Sequence, residues 1–107
     1  MDASLAIRHV IYKHFNDPDL TFTNDQVLDI MIKDDMVEAA CSVDDVEDDF
    51  QNLCRAGVVR NIAQNFTTMY LKLFTPLQLV QCKECGQIPL HSEEPRVCII
   101  CGVSVTQ

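Results

Sequence analysis

The residues best suited to chemistry are two C-x-x-C pairs near the end of the chain, each followed by glycine and separated by twelve residues. They comprise Cys82, Cys85, Cys98 and Cys101. Zinc prefers four tetrahedral ligands, and thiolates suit it because they are soft anions that lose their protons on binding. A two-residue gap lets one tight turn aim both sulfurs at a single ion, and glycine can adopt the positive φ that such a turn requires. The spacing therefore predicts one structural zinc ion.

Other chemistries of paired cysteines fit this segment less well. Rubredoxin-type iron uses the same pairs, but electron transfer favours a sheltered cluster, and residues 75–107 contain no aromatic residue; the choice between zinc and iron stays open at this point. A thioredoxin-type dithiol would need a strand and helix around the pair. Four thiolates also leave no open position for a catalytic water. We therefore expect the ion to stabilise the segment, with His91 between the pairs facing solvent.

Two helices are predicted at the start of the chain. Apolar residues lie at the spacing of one helical face at Ile7, Val10, Ile11 and Phe15. This helix must end before Pro18, because the residue that precedes a proline is disfavoured in the helical region. A short strand at "LTF" follows. Thr23 and Gln26 then form a capping-box pattern, which predicts the start of the second helix.

A third helix and a hairpin are predicted next. Ser42 and Asp45 form another cap, and apolar residues then follow at helical spacing at Val43, Val46, Phe50, Leu53 and Cys54. Gly57 stands where a helix commonly ends in a left-handed conformation. The stretches "VVRNIA" and "TTMYLKLF" are rich in β-branched and aromatic residues and predict the two strands of a hairpin. Beyond Pro76, "LQLV" is expected only to connect this hairpin to the first cysteine.

The order helix, short strand, helix, helix, hairpin resembles the winged helix, a helix-turn-helix variant whose third helix and hairpin, the wing, usually face DNA. The stretch "FQNLCRAGVVRNI" is similar to the passage from third helix to wing in that family. The resemblance implies an α+β chain with a winged helix-turn-helix domain at residues 1–75 and a zinc ribbon at 76–107. This architecture is similar to that of archaeal transcription factor E and of small archaeal regulators, which implies a transcription-associated function.

The distribution of charge opposes the usual way in which a winged helix binds DNA. The net charge is −8, and residues 21–57 contain ten acidic and two basic residues. The outward side of the third helix is expected to present Asp44, Asp45, Asp48, Gln51, Asn52 and Arg55. Affinity for duplex DNA comes largely from lysine and arginine, so docking of this helix in the major groove is disfavoured. Residues 58–81 contain two basic residues and no acid.

Two functions fit this pattern. In the first, a regulator contacts DNA through wing residues, which are Arg60, Asn61, Gln64, Asn65 and Lys72. In the second, the acidic third helix binds a protein with a basic surface and no nucleic acid is bound. Either could act as a dimer through the first helix.

The sequence does not favour an enzyme or a membrane protein. It contains no nucleophile motif of the G-x-S-x-G kind and no glycine loop for phosphate, since it has three glycines in all. No apolar run approaches the roughly 18 residues that a membrane helix needs. Asp2 stands where a signal peptide would carry basic charge, and Arg8, His9 and Lys13 interrupt the apolar residues that follow. We therefore expect a protein without enzymatic activity or membrane partner, in the cytoplasm or at the nucleoid.

Overall fold

Three helices lie within residues 3–55, at the positions that the apolar periodicity predicts. The computed structural model describes residues 3–66, 68–91 and 96–105. The helices are α1 (Ala3–His14), α2 (Asn24–Lys33) and α3 (Glu47–Arg55), and a 3-10 turn (Asp44–Val46) precedes α3. Together with the strands described below, they confirm the α+β class.

The helix α2 begins with the capping box that the sequence predicts. The Gln26 N–H donates to Thr23 Oγ1 at 3.1 Å, and the Thr23 N–H donates to Gln26 Oε1 at 2.9 Å. These reciprocal bonds satisfy two backbone donors that would otherwise have no partner in the first turn.

The start of α3 differs from the prediction. The Ser42 N–H donates to Asp45 Oδ2 at 2.8 Å, and the Asp45 N–H donates to Ser42 Oγ at 3.4 Å. These bonds close the 3-10 turn and do not cap the helix itself. The helix follows Val46, whose side chain makes no capping bond. Acids in the first turn of α3 provide the favourable charge at this end instead.

Within the described residues, five strands form two small antiparallel sheets. Strands β1 (Phe22–Thr23), β2 (Val59–Asn65) and β3 (Thr68–Leu73) form the first, in the order β1-β3-β2. Strands β4 (Leu77–Cys82) and β5 (Gly86–His91) form the second. The predicted β2–β3 hairpin is confirmed, although position 67 lies outside the described residues. The expectation that residues 77–80 only connect the two segments is wrong, because they pair with β5 as a strand.

Each sheet has its own buried cluster, and the two clusters meet along α1. The helices and the first sheet enclose a core that includes Phe50 and Leu71, both fully buried. Ile88 and Leu90 lie in a smaller cluster beneath the second sheet, together with two of the cysteines. Leu5 of α1 packs against this smaller cluster. Burial of apolar surface therefore continues across both parts of the chain.

His91 corrects another expectation. It lies at the end of β5 with none of its surface exposed, and its Nε2 is 2.6 Å from Thr75 Oγ1. The prediction of a solvent-facing loop residue was wrong because the strand extends as far as this histidine. A buried imidazole needs a polar partner, and the threonine hydroxyl supplies one.

Candidate functional site

The fold brings the sulfurs of the four cysteines of the C-x-x-C pairs into one cluster, within 4.8 Å of one another. The separations are 3.5 Å from Cys82 to Cys101, 3.7 Å from Cys85 to Cys101 and 3.6 Å from Cys85 to Cys98. A disulfide would need about 2.05 Å. Four sulfurs each about 2.3 Å from a tetrahedral zinc ion would lie about 3.8 Å apart. The donor set can therefore hold a metal ion and is compatible with zinc.

The first pair is positioned by the hairpin of the second sheet. Strand β4 ends at Cys82, and β5 begins at Gly86, so the turn between them carries both sulfurs. The Cys85 N–H donates to Cys82 Sγ at 3.4 Å, which orients that sulfur. Gly86 has a φ of +87°, a conformation that side-chain-bearing residues rarely adopt. The sequence predicted this turn because its geometry is local.

The second pair is held by a similar turn in the last described segment. The Ile100 N–H donates to Cys98 Sγ at 3.4 Å, and the Gly102 N–H donates to the Cys98 carbonyl at 2.9 Å. Gly102 has a φ of +76°. The Cys98 N–H also donates to the Val103 carbonyl at 2.8 Å, which closes the turn against the following residues. Both pairs thus present one sulfur oriented by a backbone N–H.

The electrostatics of the cluster favour a cation at its centre. Hydrogen bonds with the sulfurs of Cys98 and Cys101 raise the pKa of Cys85 to about 12. Burial raises the pKa of Cys98, but backbone N–H groups of Cys101 and Ile100 outweigh that effect and lower it to about 6. Without a cation, thiols such as Cys85 therefore keep their protons at neutral pH. A divalent ion would replace those protons and neutralise the negative charge.

The cluster of four cysteines is sealed on one side only. Cys82 and Cys98 are buried against the smaller apolar cluster, whereas Cys85 and Cys101 are exposed. A bound ion would therefore be held by sulfurs that are packed in the apolar cluster, and it would be reached from solvent past the two exposed sulfurs. Four thiolates close the coordination shell, so the arrangement suits a structural role.

The polar residues predicted for DNA contact fall on both faces of the β2–β3 hairpin. Arg60 pairs with Lys72 across the two strands, so their side chains share the outer face of the sheet. Asn65 lies opposite Thr68 on that same face. Arg60 and Lys72 near the base of the hairpin and Asn65 near its tip therefore lie on one surface, which we call the outer sheet face.

The other two predicted residues lie on the opposite side: Asn61 by the regular alternation next to Arg60, and Gln64 because of an irregularity in β2. The register shifts between Asn61 and Ala63, which reverses the alternation of side chains along the strand. Asn61 Nδ2 donates to Gln64 Oε1 at 3.2 Å. Both residues face α3 and line, with Arg55, a cavity of about 230 Å³. They are therefore separated from the outer sheet face.

Aromatic residues near the outer sheet face were missing from the predicted contact set. Phe66, at the tip of the hairpin, is 93% exposed and has a φ of +56°. Phe74 lies beneath the Arg60 guanidinium, whose central carbon is 4.7 Å from the ring centroid. A bulky aromatic in a turn between two predicted strands was the sequence signal that could have identified Phe66.

The acidic surface of α3 is presented to solvent much as predicted. Asp44, Asp45, Asp48, Asn52 and Arg55 are exposed, and Gln51 is half-buried. Arg55 donates to Asn52 Oδ1 at 2.7 Å and to Gln51 Oε1 at 3.4 Å. The single cation of this surface is thus bonded to its own neighbours, while the carboxylates lie at the other end. We call Asp44, Asp45 and Asp48 the acidic turn.

No described helix has the length and apolar character needed to cross a membrane. Comparisons of the chain with protein-family models, with curated proteins and with solved structures gave no match. Its function must therefore be argued from its own residues.

Proposed function

We propose that this protein is a non-enzymatic, transcription-associated regulator that combines a winged helix with a zinc ribbon and contacts DNA through the β2–β3 hairpin. The order α1, β1, α2, α3, β2, β3 and the sheet order β1-β3-β2 support the winged-helix assignment. The cluster of four cysteines supports the ribbon, with zinc as its ion.

The observation that carries this proposal is the contrast in charge between two neighbouring surfaces. Arg60 and Lys72 are paired on a hairpin whose two strands contain no acid. The acidic turn places three carboxylates at the start of α3. Phosphates attract the first surface and repel the second. A duplex would therefore be contacted by the hairpin, with α3 turned away from it.

The exposed tip of the hairpin supports the same assignment. Phe66 contributes almost nothing to burial within the chain. Proteins that bind a minor groove often insert an apolar side chain between base steps, with cations nearby on the phosphates. Phe66 lies at the tip of the hairpin, and Arg60 and Lys72 pair near its base. A duplex lying along the hairpin would contact both, and Asn65 adds an amide beside Phe66.

The metal would serve this function indirectly, by holding the β4–β5 hairpin against α1. The six cysteines include none in a disulfide. Free thiolates at a metal centre need a reducing compartment, so we place the protein in the cytoplasm or at the nucleoid.

Fluorescence anisotropy with a labelled duplex of random sequence tests the proposal. The metal-loaded chain is titrated at about 50 and about 200 mM salt, and the affinity should be lower in the higher salt. Two phosphate contacts predict a slope of log affinity against log salt of about −1.8. Arg60→Gln should weaken binding and reduce that slope by about 1. Lys33→Gln, at the exposed end of α2, is the matched control. Absence of binding at micromolar protein in the lower salt would refute DNA contact.

A second candidate function is that of a protein-interaction adaptor, favoured by the exposure of the acidic turn. The positive charge of a basic protein surface would attract the carboxylates of the acidic turn. The variant Asp44→Lys, Asp45→Lys, Asp48→Lys should then lose protein partners captured by the wild-type chain. Asp19→Lys, Asp29→Lys and Glu38→Lys make the same change in net charge at other exposed positions. Equal capture by the two triple variants would count against the adaptor.

A further inference from the structure

A cavity of about 350 Å³ lies where α1, the segment after α2 and the β4–β5 hairpin meet. Val10 of α1, Met36 and Leu79 of β4 supply apolar walls. Pockets that bind small molecules have volumes of about 300–1,000 Å³, are mostly apolar and often lie where structural units join. This cavity meets those criteria at the small end of the range.

Hydrogen-bond donors outnumber acids among the polar residues that line the cavity, which suits an anionic ligand. Asp34 is the only acid among its described lining residues, in a chain with sixteen acids. Lys13 and two of the three histidines, His9 and His14, also line it. His9 and Lys13 are four residues apart on α1 and therefore lie on the same side of the helix. Burial lowers the pKa of His9, so the neutral ring can donate one N–H while Lys13 supplies the charge.

We propose that this cavity binds a small organic carboxylate with an apolar body. The carboxylate lies against Lys13 and His9, and the body lies against Val10, Met36 and Leu79. The site is independent of DNA contact, because it lies on the side of α1 that packs against the second sheet. Its occupation would not require the outer sheet face or the acidic turn.

The site also depends on the metal centre. Leu79 belongs to β4, which ends at Cys82, and Gln87 of β5 lines the same cavity. Loss of the metal would release the turn that joins these strands, and with it one wall of the cavity. Binding of the carboxylate should therefore be lost when the metal is removed, whereas a site formed by the helices alone would survive.

The test uses three probes of the same shape with the metal-loaded full chain: 3-phenylpropanoate, 3-phenylpropanamide and 3-phenylpropylamine. NMR titration should show saturable shifts of the His9 ring and the Leu79 methyl groups with the carboxylate. We expect at least about tenfold weaker binding of the amide, which corresponds to about 1.4 kcal/mol, and weaker binding still of the amine. Equal affinity for all three probes, or no saturable shift at millimolar carboxylate, would overturn the proposal.

Variants locate the site. Lys13→Met keeps the apolar stem and removes the charge, so it should reduce carboxylate affinity to that of the amide. Lys33→Met removes a charge outside the cavity and should leave affinity unchanged. Intermolecular contacts between the phenyl ring and Leu79, seen as nuclear Overhauser effects, should accompany binding. Unchanged affinity of Lys13→Met, or ring contacts elsewhere without Leu79, would overturn the assignment.

Discussion

Asn16 makes two hydrogen bonds with the backbone of Leu77, sixty-one residues further along the chain. Asn16 Nδ2 donates to the Leu77 carbonyl at 3.0 Å, and the Leu77 N–H donates to Asn16 Oδ1 at 2.6 Å. Leu77 is the first residue of β4, and Asn16 follows the end of α1. The amide thus acts as a strand partner for Leu77 and joins the helical part of the chain to the second sheet.

Replacement of Asn16 by alanine should destabilise the whole chain. Each backbone group left without a partner in this partly buried setting costs about 1–3 kcal/mol. Urea denaturation of the metal-loaded chain measures the loss. Asn65→Ala, at an exposed position of β2, should stay within about 0.5 kcal/mol of wild type. A similarly small effect of Asn16→Ala would show that the two bonds contribute nothing to stability.

Removal of the metal should unfold the second sheet before the three helices. Structural zinc contributes on the order of 10 to 16 kcal/mol in small finger peptides, and the smaller apolar cluster is too small to replace it. Proton–nitrogen NMR spectra after chelation should lose the dispersed signals of β4 and β5 while signals of α2 persist.

Elemental analysis should find one zinc ion per chain, lost in Cys98→Ser and kept in Cys54→Ser. Full metal content in Cys98→Ser would contradict the assigned ligand set.

Stability should fall as the pH falls below the ordinary pKa of histidine, in part because of His9. Burial lowers the pKa of His9 in the folded chain below its usual value of 6.5. As the pH falls, His9 is therefore protonated first in the unfolded chain. The stabilisation is present above about pH 6.5 and is lost as the pH drops through the pKa of His9 in the folded chain. Urea denaturation with excess zinc at several pH values measures the slope. His9→Gln should flatten it more than His14→Gln, and equal slopes would exclude this contribution.

Opposite effects are expected at two positions of positive φ. Phe66→Asn should raise the free energy of unfolding by up to about 1 kcal/mol, because asparagine tolerates the left-handed region and the exposed ring loses little burial. Gly57→Ala should lower the free energy of unfolding by about 1–2 kcal/mol, because φ is +79° at this position. The loss comes from backbone strain alone, since the added methyl group would contact no neighbouring atom. Urea denaturation measures both. A loss of stability in Phe66→Asn would mean that the ring supports the fold.

Features set by neighbouring residues could be predicted from the sequence. The capping box at Thr23, the positive φ of Gly57 and the turns of the cysteine pairs each depend on a few adjacent residues. The clustering of the four cysteines followed from the demands of tetrahedral coordination. The β2–β3 hairpin followed from β-branched and aromatic composition around a short turn.

Features that depend on distant contacts could not be predicted. Strand β4 is held by pairing with β5 and by the bonds of Leu77 to Asn16, neither of which leaves a local pattern. The buried ring of His91 meets the Thr75 hydroxyl, sixteen residues earlier in the chain. The shift near Ile62 reverses the alternation of side chains in β2, so residues that follow it face opposite to a regular strand. The cavity beside α1 exists only because the second sheet packs there.

The most direct test of DNA contact through the hairpin is an NMR titration of the nitrogen-labelled, metal-loaded chain with duplex DNA in low salt. Signals of Arg60, Asn65 and Lys72 should shift or broaden as the duplex is added. Signals of the acidic turn should stay unchanged, because its carboxylates repel phosphate. Shifts centred on Asp44, Asp45 and Asp48, or no shift anywhere in the chain at excess duplex, would contradict the proposed mode of binding.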